Sequence, residues 1–140
     1  MRAAVSARRP FPFQFVIDEL WPIRPITKRM FGFTYVYLGD KLLLALRDNT
    51  KRPQTNGVWV FTQAADLESL RREFPTLPRH CFWKSGKNGW VVLASKLEDF
   101  EESAFKVCEM ILRGDQRIGR VTRGGLEHAT RPRSNELGSW

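Results

Sequence analysis

Two cysteines and two histidines are the only thiol and imidazole groups in this 140-residue chain, and they bound the chemistry open to it. A cysteine hydrolase needs a nucleophile, a base and an orienting acid within reach of one another. His80 and Cys81 are chain neighbours. On a strand, neighbouring side chains point to opposite faces, so the two would not pair. Cys108 falls on an apolar stripe and reads as inert core, while His128 lies in the C-terminal segment. Two cysteines and two histidines at these positions fit no usual zinc spacing. The acids Glu98, Asp99, Glu101 and Glu102 lack the ligand order and the glycine of a calcium-binding loop. They read instead as the favourably charged start of a helix. Neither a GxGxxG nor a Walker A run is present. The expectation is a non-enzymatic protein with no catalytic residues, no metal and no cofactor.

Basic residues offer the second kind of chemistry. Net charge is +8, but the ends hold most of it. Residues 1–9 carry Arg2, Arg8 and Arg9 with no acid, and residues 113–140 carry six arginines against three acids. Between 10 and 112, 14 basic residues face 12 acidic ones, so the body is near neutral. Within it, two polar loops concentrate cations: Arg47, Lys51 and Arg52 in one, Lys84 and Lys87 in the other. If both loops lie at one end of a sheet, they form wings that set Lys and Arg on phosphates, with Asn49 or Asn88 near base edges. The competing expectation is that hairpin tips are polar because they are solvated. Function would then rest on protein–protein contact through an exposed sheet edge or an aromatic patch. Trp59, Phe82, Trp83 and Trp90 could stack on bases, but strand aromatics more often pack against one another.

The elements that must position these residues follow from periodicity. Phe13, Val16, Ile17, Leu20 and Trp21 recur at helical spacing over 13–21, and Pro22 and Pro25 end that segment. From Ile26 to Arg47 runs the longest β-competent stretch, broken by Gly39-Asp40, which predicts a hairpin. After the loop at 48–57 comes a short strand over 58–61 with Trp59 and Phe61 on one face. Leu67, Leu70 and Phe74 predict an amphipathic helix over 62–74. A second hairpin is expected over 80–94 and a long helix over 95–114, with Ile118 and Val121 as a short terminal strand or as cover for the sheet. Hairpins dominate, and no βαβα alternation is seen. The fold class expected is therefore α+β: a single compact domain over 13–121, its largely antiparallel sheet built from hairpins with helices packed on one face. Residues 1–12 read as a flexible N-terminal arm and 122–140 as a basic, disordered C-terminal tail. No apolar run approaches a membrane span or a secretory h-region. With so few cysteines, a reducing, cytoplasmic location is expected.

The run Lys28-Arg29-Met30-Phe31-Gly32, followed by Tyr35, Tyr37, Leu38, Gly39, Asp40 and Lys41, resembles the signature region of the TfoX N-terminal domain family. The second half is similar to the related MmcQ/YjbR domains. There, Leu70 to Pro75 corresponds to a helix end before a proline, and 84–90 to a hairpin tip leading into a Trp strand. The chain departs from the pattern in having Phe33 after Met-Phe-Gly, and Phe61-Thr62 where a lysine is usual. The resemblance covers about residues 26–113. It implies a compact α+β domain with a regulatory role and no shared catalytic residues, its partner DNA or a regulatory protein.

Overall fold

Residues 12–121 are described by the computed structural model, and their strands form one antiparallel sheet. All but the last residue of the expected N-terminal arm, and the whole expected tail at 122–140, lie outside these residues. The strands are β1 (Ile26–Met30), β2 (Phe33–Leu38), β3 (Lys41–Arg47), β4 (Gly57–Gln63), β5 (Phe82–Ser85), β6 (Asn88–Ala94) and β7 (Arg120–Val121). Their order is β1-β2-β3-β4-β6-β5, with β7 set against the start of β3. The helices are α1 (Gln14–Glu19), α2 (Leu67–Arg71) and α3 (Phe100–Leu112). The α+β class and the hairpin-built sheet are thus as the sequence led one to expect.

Gly39-Asp40 closes the β2–β3 hairpin between Leu38 and Lys41. A second tight turn, Phe31-Gly32, closes β1 onto β2 between Met30 and Phe33. Both of its residues have positive φ, 56° and 78°. That matches the strand twist of a two-residue hairpin and places Phe31 in a region that a bulky residue seldom adopts. In β3 the register passes from Tyr37↔Leu42 to Val36↔Leu44, leaving Leu43 as an extra residue. Such a bulge bends the strand and increases its twist.

The sheet has two different faces. Val36, Leu43, Leu44, Leu46, Val58, Val60, Val91 and Leu93 face the three helices and share a core with Val16, Leu20, Leu70, Val107 and Met110. Phe33, Tyr35, Tyr37, Leu42, Ala45, Trp59, Phe61, Trp90 and Val92 line the other face as a second, aromatic cluster. Trp59 sits at its centre, edge-on to Phe33, Trp83 and Trp90 at 5.1, 5.4 and 5.8 Å. Burying side chains of this size removes the most apolar area per residue from water.

Helix lengths differ from expectation. The segment over 62–74 holds only five α-helical residues. It starts as a tighter turn at Ala64–Asp66 and ends in i→i+3 bonds from Glu73 and Phe74. Pro75 follows and disfavours α geometry just before it. The long helix begins at Phe100, not at 95. Residues 95–99 instead turn the chain off β6, with Leu97 N–H bonding Ala94 O and Phe100 N–H bonding Leu97 O. Glu98 and Asp99 therefore precede the helix, and Glu101 and Glu102 alone occupy its first turn.

Candidate functional site

Arg47, expected at the surface, closes β3 from inside. It is 7% exposed, and its guanidinium donates to Arg52 O at 2.7 Å and Asn56 Oδ1 at 2.8 Å. Burial, and then the neighbouring Arg52 charge, lower its pKa. Asn56 completes the loop by accepting from Asn49 N–H at 2.8 Å and donating to Asn49 O at 3.0 Å. Asn49 Oδ1 is itself taken by Lys51 N–H at 2.7 Å, and Trp59 Nε1 donates to Thr55 O at 2.9 Å. The loop at 48–56 is therefore folded onto the aromatic face, with Lys51 and Arg52 left exposed at its rim. Arg47 is a brace for that loop rather than a contact for anything outside.

The second loop is elsewhere. Lys87 is exposed on the tight turn Gly86-Lys87 joining β5 to β6, and Lys84 is exposed near the end of β5, paired with Gly89. Strand β4 shows the separation: Gly57 pairs with Arg47 and Ala94, whereas Gln63 pairs with Asn88. Six residue steps at about 3.3 Å put the two loops roughly 20 Å apart, at opposite ends of the sheet. The paired-wing arrangement is thus corrected. The β3–β4 hairpin turns at one end, and the chain returns along the helical face through α2. That makes β5 run in the direction of β4 and turn at the other end.

What does join Lys84 and Lys87 is the terminal strand. Beyond Leu44↔Val60, β3 and β4 diverge, and β7 enters the gap, pairing Leu42 with Arg120 and Lys41 with Val121. Gly119 N–H donates to Phe61 O at 2.6 Å. A Cβ on Gly119 would lie 2.8 Å from Leu42 O and 2.8 Å from Leu43 Cδ2, and its φ is +88°, so the approach requires glycine. Arg120 Nη1 then donates to Lys87 O at 2.9 Å and to Asn88 Oδ1 at 3.1 Å. The result is a basic end made of Lys41, Lys87 and Arg120, with Lys84 one register step from the turn, and with Asp40 and the Ala64–Asp66 turn beside it.

Lys41 and Arg120 stand outside the set of cations that the two loops offered. The sequence signal for them was the apolar pair Ile118 and Val121, which hinted at a strand without saying where it pairs. Arg117 fixes that placement. Its side chain donates to Asp115 Oδ1 and Oδ2 at 3.0 and 2.7 Å, to Ser69 Oγ and O at 2.9 and 3.3 Å, and to Glu73 Oε2 at 2.9 Å. Thr62 Oγ1 donates to Arg117 O. Hydrogen bonding from Arg117 holds the Asp115 and Glu73 carboxyls below their usual range, and the same hydrogen bonds, first to Asp115 and then to Glu73, raise the Arg117 pKa in return. This knot ties the turn before β7 to α2 and the end of β4.

The remaining candidates are dispersed. Cys81 is fully buried and His80 exposed on a single tight turn, Arg79–Cys81, rather than on a strand. Burial pushes the Cys81 thiol up to about 11, against a small opposing effect of Lys96. Burial, aided by the Glu19 charge, pushes Cys108 up to about 12. Both thiols are therefore protonated at neutral pH and are weak nucleophiles. Among the described residues no group of three or more His, Cys, Asp or Glu could hold a metal ion, and no helix is long and apolar enough to cross a membrane. Trp59 and Trp90 are buried, and Phe82 lies on the helical side with Arg71 over its ring at 5.7 Å. The four aromatics thus form no common stacking platform.

Compared with protein-family models, with curated proteins and with solved structures, the chain matches none.

Proposed function

We propose that this chain is a non-enzymatic binding domain that engages the phosphate backbone of DNA through one end of its sheet. The observation that carries the proposal is the insertion of β7 between β3 and β4, which sets Arg120 beside Lys87 and Lys41. Lysine and arginine on a rigid strand end meet backbone phosphates without reading sequence, and their affinity comes from counterion release. Lys84 and Lys87 keep the role expected of them. Lys51 and Arg52, at the far end of the sheet, make no phosphate contact in this arrangement, and neither does Arg47. A regulatory role, as the resemblance to TfoX N-terminal domains implies, belongs to the same proposal.

The test is amide shift mapping of the full chain titrated with a short duplex. Shifts gathered at residues 40–42, 84–88 and 119–121 support the proposal. Shifts gathered at 48–56 instead, or confined to residues outside 12–121, overturn it.

A second reading has its own observation. Strand β1 pairs with β2 alone among the described residues and exposes Ile26. An open strand edge of this kind accepts a further strand from a protein partner. A nuclease-resistant complex that is lost when Thr27 or Arg29 is replaced by proline would favour it.

A further inference from the structure

Away from the basic end, α1 and α3 leave a groove of about 550 Å³ between them, lined by Glu19, Glu102, Phe105, Lys106, Glu109 and Leu112, with Cys108 at its base. Phe105 and Leu112 are 44% and 41% exposed, although both lie on the longest helix of the domain. With Cys108 they form an i, i+3, i+7 row, the pattern by which one helix offers a seam to another. Phe15 of α1 packs against Phe105 beside the groove, ring to ring at 5.1 Å, and Glu19 is the α1 residue that lines it.

The charge of this groove is opposite to that of the chain. Among the described residues, no cation pairs with Glu19, Glu102 or Glu109. The one lysine present, Lys106, is drawn to the other side. Its Nζ donates to Glu73 O at 2.6 Å, lies 3.6 Å from Glu73 Oε1 and sits 5.3 Å over the Phe74 ring. Three carboxylates thus rim an apolar seam on a chain of net charge +8. A second copy docking groove to groove would set carboxylates against carboxylates, which electrostatics opposes.

We infer that the α1–α3 groove is a docking site for a basic amphipathic helix of a partner protein. Its apolar face lies on Phe105, Leu112 and Phe15, and its lysines or arginines lie along Glu19, Glu102 and Glu109. This surface is separate from the basic end, so the inference stands whether or not DNA is bound there.

The probe is a labelled helical peptide of leucine and lysine, about 18 residues long, with its leucines on one face. Its twin has glutamate in place of lysine. Anisotropy with the full chain is expected to show saturable binding of the basic peptide alone, with amide shifts at 15–19 and 102–112. The double variant Glu19→Lys with Glu109→Lys should weaken binding by about ten-fold or more, and Phe105→Ser by a similar factor. Both positions of the double variant are exposed, and matching melting curves would show that the fold is kept. A control pair, Glu98→Lys with Glu101→Lys, alters the adjoining acidic cleft ahead of α3, which shares Glu102 with the groove, at two positions that do not line the groove, and should leave binding unchanged. Equal binding of the acidic twin would overturn the inference. So would weaker binding in the control pair rather than in the groove variants, or self-association that the groove variants abolish.

Discussion

Replacing Arg117 by methionine keeps an unbranched apolar stem and removes five side-chain hydrogen bonds, two to Asp115, two to Ser69 and one to Glu73. Buried, charge-assisted bonds are each worth about 1.5–3 kcal/mol, whereas exposed ion pairs rarely exceed about 1 kcal/mol. The Arg117 side chain is 25% exposed and its partners Asp115 and Glu73 are 16% and 34% exposed, so the set lies between these limits. A loss of about 2 kcal/mol follows, most of it from the stranded Asp115. For a domain of this size that lowers Tm by about 8 °C. The effect should depend on pH in a defined direction. Both carboxyls are held below their usual range, chiefly by Arg117. Their stabilisation is therefore full above an unfolded pKa near about 4 and is lost as pH falls through the lower folded values. Thermal melts of the parent and Arg117→Met from pH 7 down to about pH 2 should show a gap that narrows below about pH 4. Hydrogen exchange at Gly119 N–H, which bonds Phe61 O, should quicken in the variant at neutral pH. An undiminished gap in acid, or unchanged exchange at Gly119, would refute the view that this knot seats β7.

Other outcomes follow from the same packing. Gly119→Ala should destabilise by about 2–4 kcal/mol in thermal melts, since the new Cβ meets Leu42 O and Leu43 at a φ of +88°. Cys81 and Cys108, with thiols pushed up to about 11 and about 12 by burial, should resist iodoacetamide at pH 8 until denaturant opens the core, as mass shifts would show. Arg47→Met should cost about 1–2 kcal/mol in a denaturant titration by freeing the 48–56 loop, yet leave the salt dependence of DNA binding unchanged.

Local patterns were legible where they carry their own instructions. Gly39-Asp40 between apolar runs gave its hairpin, and the apolar stripe from Phe100 to Leu112 gave its helix. The same patterns did not reveal how far each helix runs. Glu98 and Asp99 read as a first helical turn, but tight i→i+3 turns hold those residues, and Asp99 accepts from Thr76 Oγ1 at 2.6 Å, a bond spanning 23 positions. The candidate site was half legible. Lys84 and Lys87 announce themselves as a basic tip, whereas Arg47 looks identical to them in sequence and is internal. Its burial depends on Arg52 O and Asn56 arriving from across the loop. Arg120 was invisible for a similar reason, since its place depends on β7 pairing with β3, far away along the chain.

The central claim is that Lys41, Lys84 and Lys87 meet phosphates at the β7 end of the sheet, and its most direct test is the salt dependence of DNA affinity in the full chain. Replacing all three by glutamine should flatten the plot of log K against log salt by about 0.9 for each phosphate that is no longer neutralised. The pair Lys51→Gln with Arg52→Gln, at the other end, should leave the slope near that of the parent. A slope unchanged by the triple replacement, or reduced as much by the far pair, would contradict the claim.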